Sequence, residues 1–326
     1  MSEVNNLLAR IQQPLKRIKQ KLLGSIERRL EYFEYKMSVS HMIASCVRHP
    51  EDRVLLHTAL INSDGVHAKT RIVIDSRPSC VEMMDAYLNW VRPVAMPYLV
   101  RIATQGDGGY VMSPPPPPNS ERQPKAVSLG VSESSPWDLE MANMGYLVLQ
   151  YDASIDRGPY VHPNILFHKK FVGTQSDHQT TTLEQIMQDH SFDPSLHNIL
   201  QIDIEGAEWD IFEKLDFSIL EKYFAQIIIE FHWCDPRKLE QTRQHLAVLE
   251  KLHQTFQPIH LHYNNCCTCF FYIQERFFCN VFEVSYLRRD LVPPNLPLRE
   301  TCGDIAGLDY PNDERLPDVP IRFALN

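Results

Sequence analysis

The sequence NILQIDIEGAEWDIF, residues 198–212, decides the fold of this chain. A short apolar run leads to Asp203, Gly206 follows three residues later, and a helical pattern begins at once. A buried strand that delivers a carboxylate at its C-terminal end and is followed by a helix is typical of open α/β sheets, which bind ligands beyond the carboxyl ends of their strands. The sequence therefore predicts that functional side chains gather at this edge of a sheet.

Short apolar segments alternate with helical patterns from Lys125 onward. The predicted strands cover residues 126–129, 146–151, 164–167, 199–202, 226–229, 259–261 and 277–286, and the predicted helices cover residues 136–143, 182–188, 208–215 and 237–256. Strands that alternate with helices indicate a mostly parallel sheet covered on both faces, and the hairpin-length loop between the last two strands favours an antiparallel finish. The predicted fold class is α/β, a doubly wound, mostly parallel seven-stranded sheet with an N-terminal helical extension.

Composition divides the chain into four parts. These are a basic amphipathic helix over 1–36, a helical or mixed extension over 37–96, a main domain over 97–290, and a C-terminal tail over 291–326. The tail contains six prolines and reads as an irregular wrap on the surface.

The N-terminal part carries eight Lys or Arg and four Glu, a formal charge of about +4. Its apolar stripe has a period of 3.6, which indicates an amphipathic helix rather than a heptad seam; the stripe comprises Leu15, Ile18, Leu22, Ile26, Leu30 and Phe33. Pro14 suits the first turn of this helix. We expect residues 14–36 to pack on the body of the protein or on a second copy, and a basic helix on a membrane surface is the alternative.

The whole chain has a formal net charge of -9, which disfavours nucleic acid as a partner. No apolar run reaches the roughly 18 residues of a membrane span, and the N-terminus lacks the apolar core of a signal peptide. We expect a cytoplasmic protein, peripheral to a membrane if the basic helix binds one, with its eight cysteines mostly reduced.

A glycine and an acid mark the first two strands of the predicted sheet. Gly130 lies directly after the first strand, where a residue without a side chain lets the backbone approach a ligand. Asp152 ends the next strand, and an acid at that place can accept the hydrogen bonds of a ribose diol. Gly130 stands alone rather than in a G-x-G-x-x-G motif, which weakens the interpretation as a dinucleotide site and does not exclude a nucleoside.

Several motifs, taken in order, resemble one protein family. They are Arg101-Ile102, Asp107-Gly108-Gly109-Tyr110-Val111, Ser128-Leu129-Gly130-Val131-Ser132, Asp203-Ile204-Glu205-Gly206-Ala207-Glu208, Ile228-Ile229-Glu230, His260-Leu261-His262-Tyr263-Asn264-Asn265 and Phe282-Glu283-Val284. The sequence resembles the FkbM-like class I S-adenosylmethionine-dependent methyltransferases, and within them the branch with a D-G-G-Y loop. The resemblance covers about residues 95–290. It implies a Rossmann-like methyltransferase domain and methyl transfer, often to hydroxyls of sugars or small natural products.

The resemblance and the strand ends together give candidate site residues. The candidates for binding S-adenosylmethionine are Asp107, Gly108, Gly109, Tyr110, Gly130, Ser132, Asp152 and Asp203. The candidates for catalysis are Asp203, Glu230, His232 and His262. Asp203 and Glu230 end neighbouring strands and could hold Mg²⁺ or Mn²⁺, which prefer oxygen ligands. Each histidine could serve as a general base instead, because imidazole titrates near neutral pH.

Other interpretations remain open at this point. Asp203 could contact the cofactor or cap the helix, and Glu230 could form a buried ion pair. Cys266 and Cys269 form one half of a zinc motif, but no matching pair follows, so we expect free thiols in a hairpin. A nicotinamide-dependent oxidoreductase and a binding module that kept the fold without turnover are the alternative functions. The acceptor is expected to be a small molecule or a glycan.

Overall fold

The computed structural model describes residues 2–62, 71–117, 122–266 and 269–324; within residues 2–22 it describes only one side chain, that of Lys21. The helices of these residues are α1 Ser2–Cys46, α2 Pro50–Asn62, α3 Pro78–Val91, α4 Pro136–Asn143, α5 Leu183–Asp189, α6 Ala207–Lys214, α7 Phe217–Tyr223 and α8 Leu239–Thr255. The strands are β1 Arg71–Asp75, β2 Val100–Ile102, β3 Tyr110–Met112, β4 Lys125–Leu129, β5 Leu147–Tyr151, β6 Ile165–His168, β7 Phe171–Val172, β8 Thr180–Thr181, β9 Asn198–Ile202, β10 Phe224–Phe231, β11 Phe256–Tyr263, β12 Cys269–Ile273, β13 Arg276–Cys279, β14 Phe282–Arg288, β15 Thr301–Cys302 and β16 Ile321–Arg322.

A seven-stranded sheet forms the centre of the molecule. Its strand order is β11-β14-β10-β9-β4-β5-β6, and all neighbouring strands are parallel except β14, which is antiparallel to both β10 and β11. The residues of β9 and β10 are all buried, as expected for strands covered on both faces. The predicted α/β class with a mostly parallel seven-stranded sheet is confirmed, and the sheet is compatible with a methyltransferase fold.

The predicted strand over 277–286 is wrong as a single element. It is two strands, β13 and β14, that belong to different sheets. β13 pairs with β12, and β12 pairs in parallel with β1, so a small second sheet interrupts the connection between β11 and β14. The aromatic run Phe277–Phe278 is buried in this second sheet. Because most residues of β13 and of β14 are buried, the hydrophobic pattern of the sequence does not change where one strand ends and the next begins.

Two local features of the sequence fix the helices that follow β9 and β8. Gly206 precedes α6 with φ of 105°, a left-handed conformation that glycine adopts without strain. Thr182 caps α5, and its side-chain oxygen accepts a hydrogen bond from the Gln185 N–H at 3.3 Å.

Helix α1 is longer than predicted. It begins at Ser2, so the backbone of Pro14 lies inside the helix rather than in its first turn. Its C-terminal half packs on the body through the buried side chains of Val39 and Ile43. The Tyr35 hydroxyl accepts a hydrogen bond of 2.7 Å from the Ile72 N–H and so joins α1 to β1. In the part of the chain that the structure describes, no helix is long and apolar enough to cross a membrane.

The C-terminal tail is fixed to the body rather than only wrapped around it. Strands β15 and β16 pair with each other, and Val319 and Ile321 are buried. The Arg322 guanidinium donates hydrogen bonds of 3.1 and 3.2 Å to the buried Asp52 carboxylate of α2. A sequence rich in proline cannot form long regular elements, but it can still bury apolar side chains.

Candidate active site

Two adjoining cavities open at the carboxyl end of the parallel strands. The first has a volume of about 450 Å³ and is lined by Asp107, Gly108, Tyr110, Gly130, Val131, Ser132, Ser134, Ser135, Tyr151, Asp152, Ser154, Phe171, Val172, Gln201, Asp203, Ile204, Glu205 and Ala207. The second has a volume of about 290 Å³ and is lined by Asp107, Asp203, Glu205, Glu230, His232, Trp233, Asn264, Cys266, Asn280 and Val281. Asp107, Asp203 and Glu205 belong to both walls. The two cavities therefore share part of one wall.

Gly130 shapes the floor of the first cavity. Its φ is 83°, and a Cβ atom at this position would lie 1.6 Å from the Asp203 carbonyl oxygen. The Gly130 N–H donates to the Tyr151 carbonyl at 3.1 Å, and the Asp203 N–H donates to the Leu129 carbonyl at 2.9 Å. The absence of a side chain at Gly130 therefore lets the ends of β4, β5 and β9 meet.

Asp152 orders the turn that follows Gly130. Its Oδ2 accepts hydrogen bonds of 3.0 Å from both the Val131 and the Ser132 N–H groups, and its Oδ1 accepts one of 2.7 Å from the Ser154 N–H. Burial works to raise the pKa of Asp152, but these hydrogen bonds outweigh it and lower the pKa. Asp152 thus presents an ionised carboxylate to the cavity, and such a group can accept hydrogen bonds from a diol.

The Asp-Gly-Gly-Tyr loop joins β2 to β3 and reaches the first cavity. Asp107, Gly108 and Tyr110 line the cavity, whereas Gly109 does not. A Cβ atom on Gly109 would lie 2.1 Å from the Thr104 carbonyl oxygen, so this glycine serves the tightness of the turn. The Tyr110 hydroxyl is buried and accepts a hydrogen bond of 3.1 Å from Gln201 Nε2.

Three ionisable side chains converge in the second cavity. His232 Nε2 lies 3.7 Å from Asp203 Oδ1 and 3.5 Å from Glu230 Oε1. One ligand atom from each of the three side chains lies within 4.8 Å of the other two. These separations exceed those of ordinary hydrogen bonds, so the three groups surround a common point rather than bond to one another. Such a set can hold a cation or pass a proton.

Glu208 fixes the orientation of His232. Its Oε1 accepts a hydrogen bond of 2.8 Å from the His232 N–H and lies 3.2 Å from His232 Nδ1, and its Oε2 accepts one of 2.9 Å from the Gly206 N–H. With the Nδ1 side of the ring facing Glu208, Nε2 is directed at the carboxylates of Asp203 and Glu230. Sequence reasoning missed this role, although Glu208 closes the D-x-E-G-A-E motif and is fully buried.

Burial changes the proton affinity of all three groups. Burial and the neighbouring carboxylates raise the pKa of Asp203, and burial and the Asp203 carboxylate raise the pKa of Glu230 well above its usual value. Burial alone would lower the pKa of His232, but Glu208 and Asp203 outweigh it and raise the pKa. Burial thus favours the neutral form of both carboxyl groups, whereas the neighbouring carboxylates favour the protonated form of His232.

Asn264 and Trp233 complete the second cavity. Asn264 Nδ2 donates a hydrogen bond of 2.9 Å to Glu230 Oε1, which holds that carboxylate in place. Trp233 is 52% exposed at the rim with φ of 61°, an unusual conformation for a bulky residue. Its Nε1 donates a hydrogen bond of 3.0 Å to the Glu205 carbonyl. Its indole packs on Gly206 so closely that a Cβ atom added to that glycine would lie 2.4 Å from the ring. The strained Trp233 backbone is thus held by its neighbours, as is common at functional sites.

The structure does not bring His262 to either cavity. His262 is buried on β11, with Nε2 3.2 Å from Asp318 Oδ1 of the tail and Nδ1 4.0 Å from Glu283 Oε2 of β14. The sheet order explains this placement, because β14 lies between β11 and β10. His262 thus lies beside the tail and outside both cavities, and this placement does not support the predicted part in catalysis.

The half zinc motif does not gather ligands among the described residues. There, the side chains that could hold a metal ion are Asp203, Glu230 and His232, and no cysteine is among them. Cys266, Cys269 and Cys279 form no disulfide with a described residue, and Cys267 lies outside the described residues.

The part of the chain that carries most of the site is similar to a known protein family. Residues 96–257 match the family model described as the methyltransferase FkbM domain. The match includes the residues that shape both cavities up to Trp233, among them Gly130, Asp152, Asp203 and His232. No curated protein matches the chain significantly.

Proposed function

We propose that this chain, which carries an FkbM-like methyltransferase domain, transfers the methyl group of S-adenosylmethionine to a hydroxyl of a sugar or another small polyhydroxyl acceptor. The observation that carries the proposal is the common wall of the two cavities, formed by Asp107, Asp203 and Glu205. Methyl transfer needs donor and acceptor in line, and two adjoining cavities provide that arrangement.

The first cavity suits the methyl donor. S-adenosylmethionine supplies an electrophilic methyl group on a sulfonium sulfur. The Asp152 carboxylate accepts hydrogen bonds from the ribose hydroxyls, and the backbone at Gly130 and Ser132 lies against the ligand. Tyr110 covers the cavity from the side of the β2–β3 loop. The volume of about 450 Å³ is within the usual range for a cofactor pocket.

The second cavity suits a hydroxyl acceptor. Its carboxylates accept hydrogen bonds from hydroxyl groups, and the half-exposed Trp233 indole offers an apolar face. His232 Nε2 is the atom that receives the proton of the reacting hydroxyl, and Glu208 stabilises the resulting imidazolium. The chain itself therefore provides positioning and a base.

The same cluster fits a hard divalent cation. Asp203 and Glu230 offer carboxylate oxygens and His232 offers Nε2. As the alternative to a base at His232, these three residues would hold Mg²⁺ or Mn²⁺ with Nε2 as a ligand, and the ion would lower the pKa of the acceptor hydroxyl.

Removal of the Asp152 carboxylate tests the donor site. Asp152→Ala is expected to weaken S-adenosylhomocysteine binding by roughly 1.5–3 kcal/mol, because a charge-assisted hydrogen-bond site is lost. Isothermal titration calorimetry measures this change. Asp156→Ala is the matched control, because Asp156 is an exposed acid in the same loop and lies outside the cavity lining. Equal affinity in the wild type and in Asp152→Ala would remove Asp152 from the donor site.

Chelation tests the cation. If the cluster holds a cation, EDTA is expected to abolish methyl transfer and Mg²⁺ or Mn²⁺ to restore it, because the acceptor hydroxyl is less acidic without the ion. Titration of Mn²⁺ into the wild type and into Glu230→Gln gives a readout that needs no acceptor, and the variant should bind more weakly. If EDTA leaves the rate unchanged and Mn²⁺ binds neither protein, His232 acts without a metal.

The function itself is tested by product formation. The purified protein is incubated with S-adenosylmethionine and a panel of neutral sugars, amino sugars, nucleotide sugars and glycans, and the release of S-adenosylhomocysteine is followed. Acceptor-dependent release supports the proposal, with O-methylation located on the product by mass spectrometry. Reduction of NAD with a hydroxyl substrate would favour the oxidoreductase alternative. Binding of S-adenosylhomocysteine without turnover on any acceptor would favour the binding module.

A further inference from the structure

The middle of α1 presents an apolar stripe to solvent. Leu23, Ile26, Leu30, Phe33 and Met37 are between 47% and 61% exposed. Val39, by contrast, is buried against the body; it follows Met37 by two residues, about 200° around the helix. Around Val39 the body therefore covers one side of α1 and leaves the opposite side uncovered.

The exposed stripe has the spacing of a heptad seam. Its five members advance by steps of three, four, three and four residues, a period of 3.5. The stripe predicted from Leu15 to Phe33 has the longer period of 3.6 because three steps of four residues follow one another from Ile18 to Leu30. Upstream in the sequence, the period of 3.5 recurs at Leu8, Ile11, Leu15, Ile18 and Leu22.

Charged residues flank the stripe asymmetrically. With Leu23, Leu30 and Met37 at heptad position a and Ile26 and Phe33 at d, both e positions are acidic, Glu27 and Glu34. The g positions within the stripe are basic, Arg29 and Lys36. A helix that lies on an anionic membrane carries basic residues on both flanks, so the acidic flank disfavours a membrane as the partner.

We propose that α1 joins two copies of this chain in a parallel coiled coil. In a parallel pair, each g residue faces the e residue of the next heptad on the partner helix. Arg29 of each copy therefore faces Glu34 of the other, which gives two ion pairs in the dimer. In an antiparallel pair, g faces g and e faces e, and like charges would meet. The charge pattern therefore favours a second copy of the chain as the partner and a parallel orientation of the two helices.

Charge reversal tests the proposal on the full-length protein. The wild type is expected to sediment as a dimer in analytical ultracentrifugation at tens of micromolar. Arg29→Glu and Glu34→Arg are each expected to raise the dimer dissociation constant about tenfold or more, because two attractive pairs become repulsive. An equimolar mixture of the two variants is expected to recover the wild-type affinity, because both pairs are attractive again in a parallel heterodimer.

Control variants and a test of folding accompany the charge reversals. Arg28→Glu and Glu31→Arg change the same charges at the outer positions f and b, and they should leave dimerisation unchanged. Thermal melting reports whether each variant is folded. A monomeric wild type overturns the proposal, as does a dimer that neither Arg29→Glu nor Glu34→Arg weakens. A monomer that pellets with vesicles containing phosphatidylserine assigns the stripe to a membrane instead.

Discussion

Gly130→Ala is expected to destabilise the protein by about 3–5 kcal/mol, from overpacking together with backbone strain. The added Cβ atom would lie 1.6 Å from the Asp203 carbonyl oxygen, so the ends of β4 and β9 would have to separate. That movement would also deform the donor cavity, and S-adenosylhomocysteine affinity should fall with stability. Urea unfolding and calorimetry measure the two effects.

Gly307→Ala is a matched control for this substitution. Gly307 has φ of 81°, almost the same as Gly130, but no heavy atom lies within 4 Å of the added Cβ position. Gly307→Ala should lower the free energy of unfolding by about 1 kcal/mol, the usual penalty for a side chain in the left-handed region. Equal losses in the two variants would show that backbone conformation, rather than the contact with Asp203, explains the requirement for glycine.

His232→Ala is expected to lower kcat by about 10²–10⁴-fold, the usual contribution of a positioned acid or base. Affinity for S-adenosylhomocysteine should hardly change, because His232 lines only the second cavity. Steady-state kinetics with the acceptor found by the methyl-transfer screen, together with calorimetry, separate the two effects. His178→Ala removes an exposed imidazole far from the charge cluster in the sequence and should change neither quantity.

The pH dependence distinguishes the roles of His232. If His232 acts as the base without a metal, the rate falls as the pH drops through its raised pKa, because an imidazolium cannot accept the proton. Full activity of His232→Ala together with full activity of Glu230→Gln would exclude the cluster from the mechanism and leave positioning as the source of catalysis.

The sequence predicted the parts of the fold that have a strong periodic signal. The strands that became β4, β5, β9 and β10 are short apolar runs separated by helical patterns, and their predicted and observed bounds agree within two residues. Gly130, Asp152 and Asp203 could be placed at one edge because parallel strands bring their carboxyl ends together. Three residues of the first cavity could therefore be predicted from the positions of the strand ends.

The remaining features depend on contacts between distant segments. Nothing in the local pattern indicates that Asp318 of the tail would meet His262, or that β13 would leave the main sheet to pair with β12. Glu208 lies on the first turn of α6, where an acid is common for reasons of helix stability alone. Only the structure shows its carboxylate against His232.

A crystal structure of the complex with S-adenosylhomocysteine would show whether the methyl donor binds in the first cavity. We expect the ribose hydroxyls within hydrogen-bond distance, about 3.2 Å, of the Asp152 carboxylate. We also expect the sulfur to face the second cavity across Asp203, with Asp107 and Tyr110 beside the ligand. A ligand bound elsewhere, or a sulfur atom directed away from the cluster of Asp203, Glu230 and His232, would contradict the proposed function.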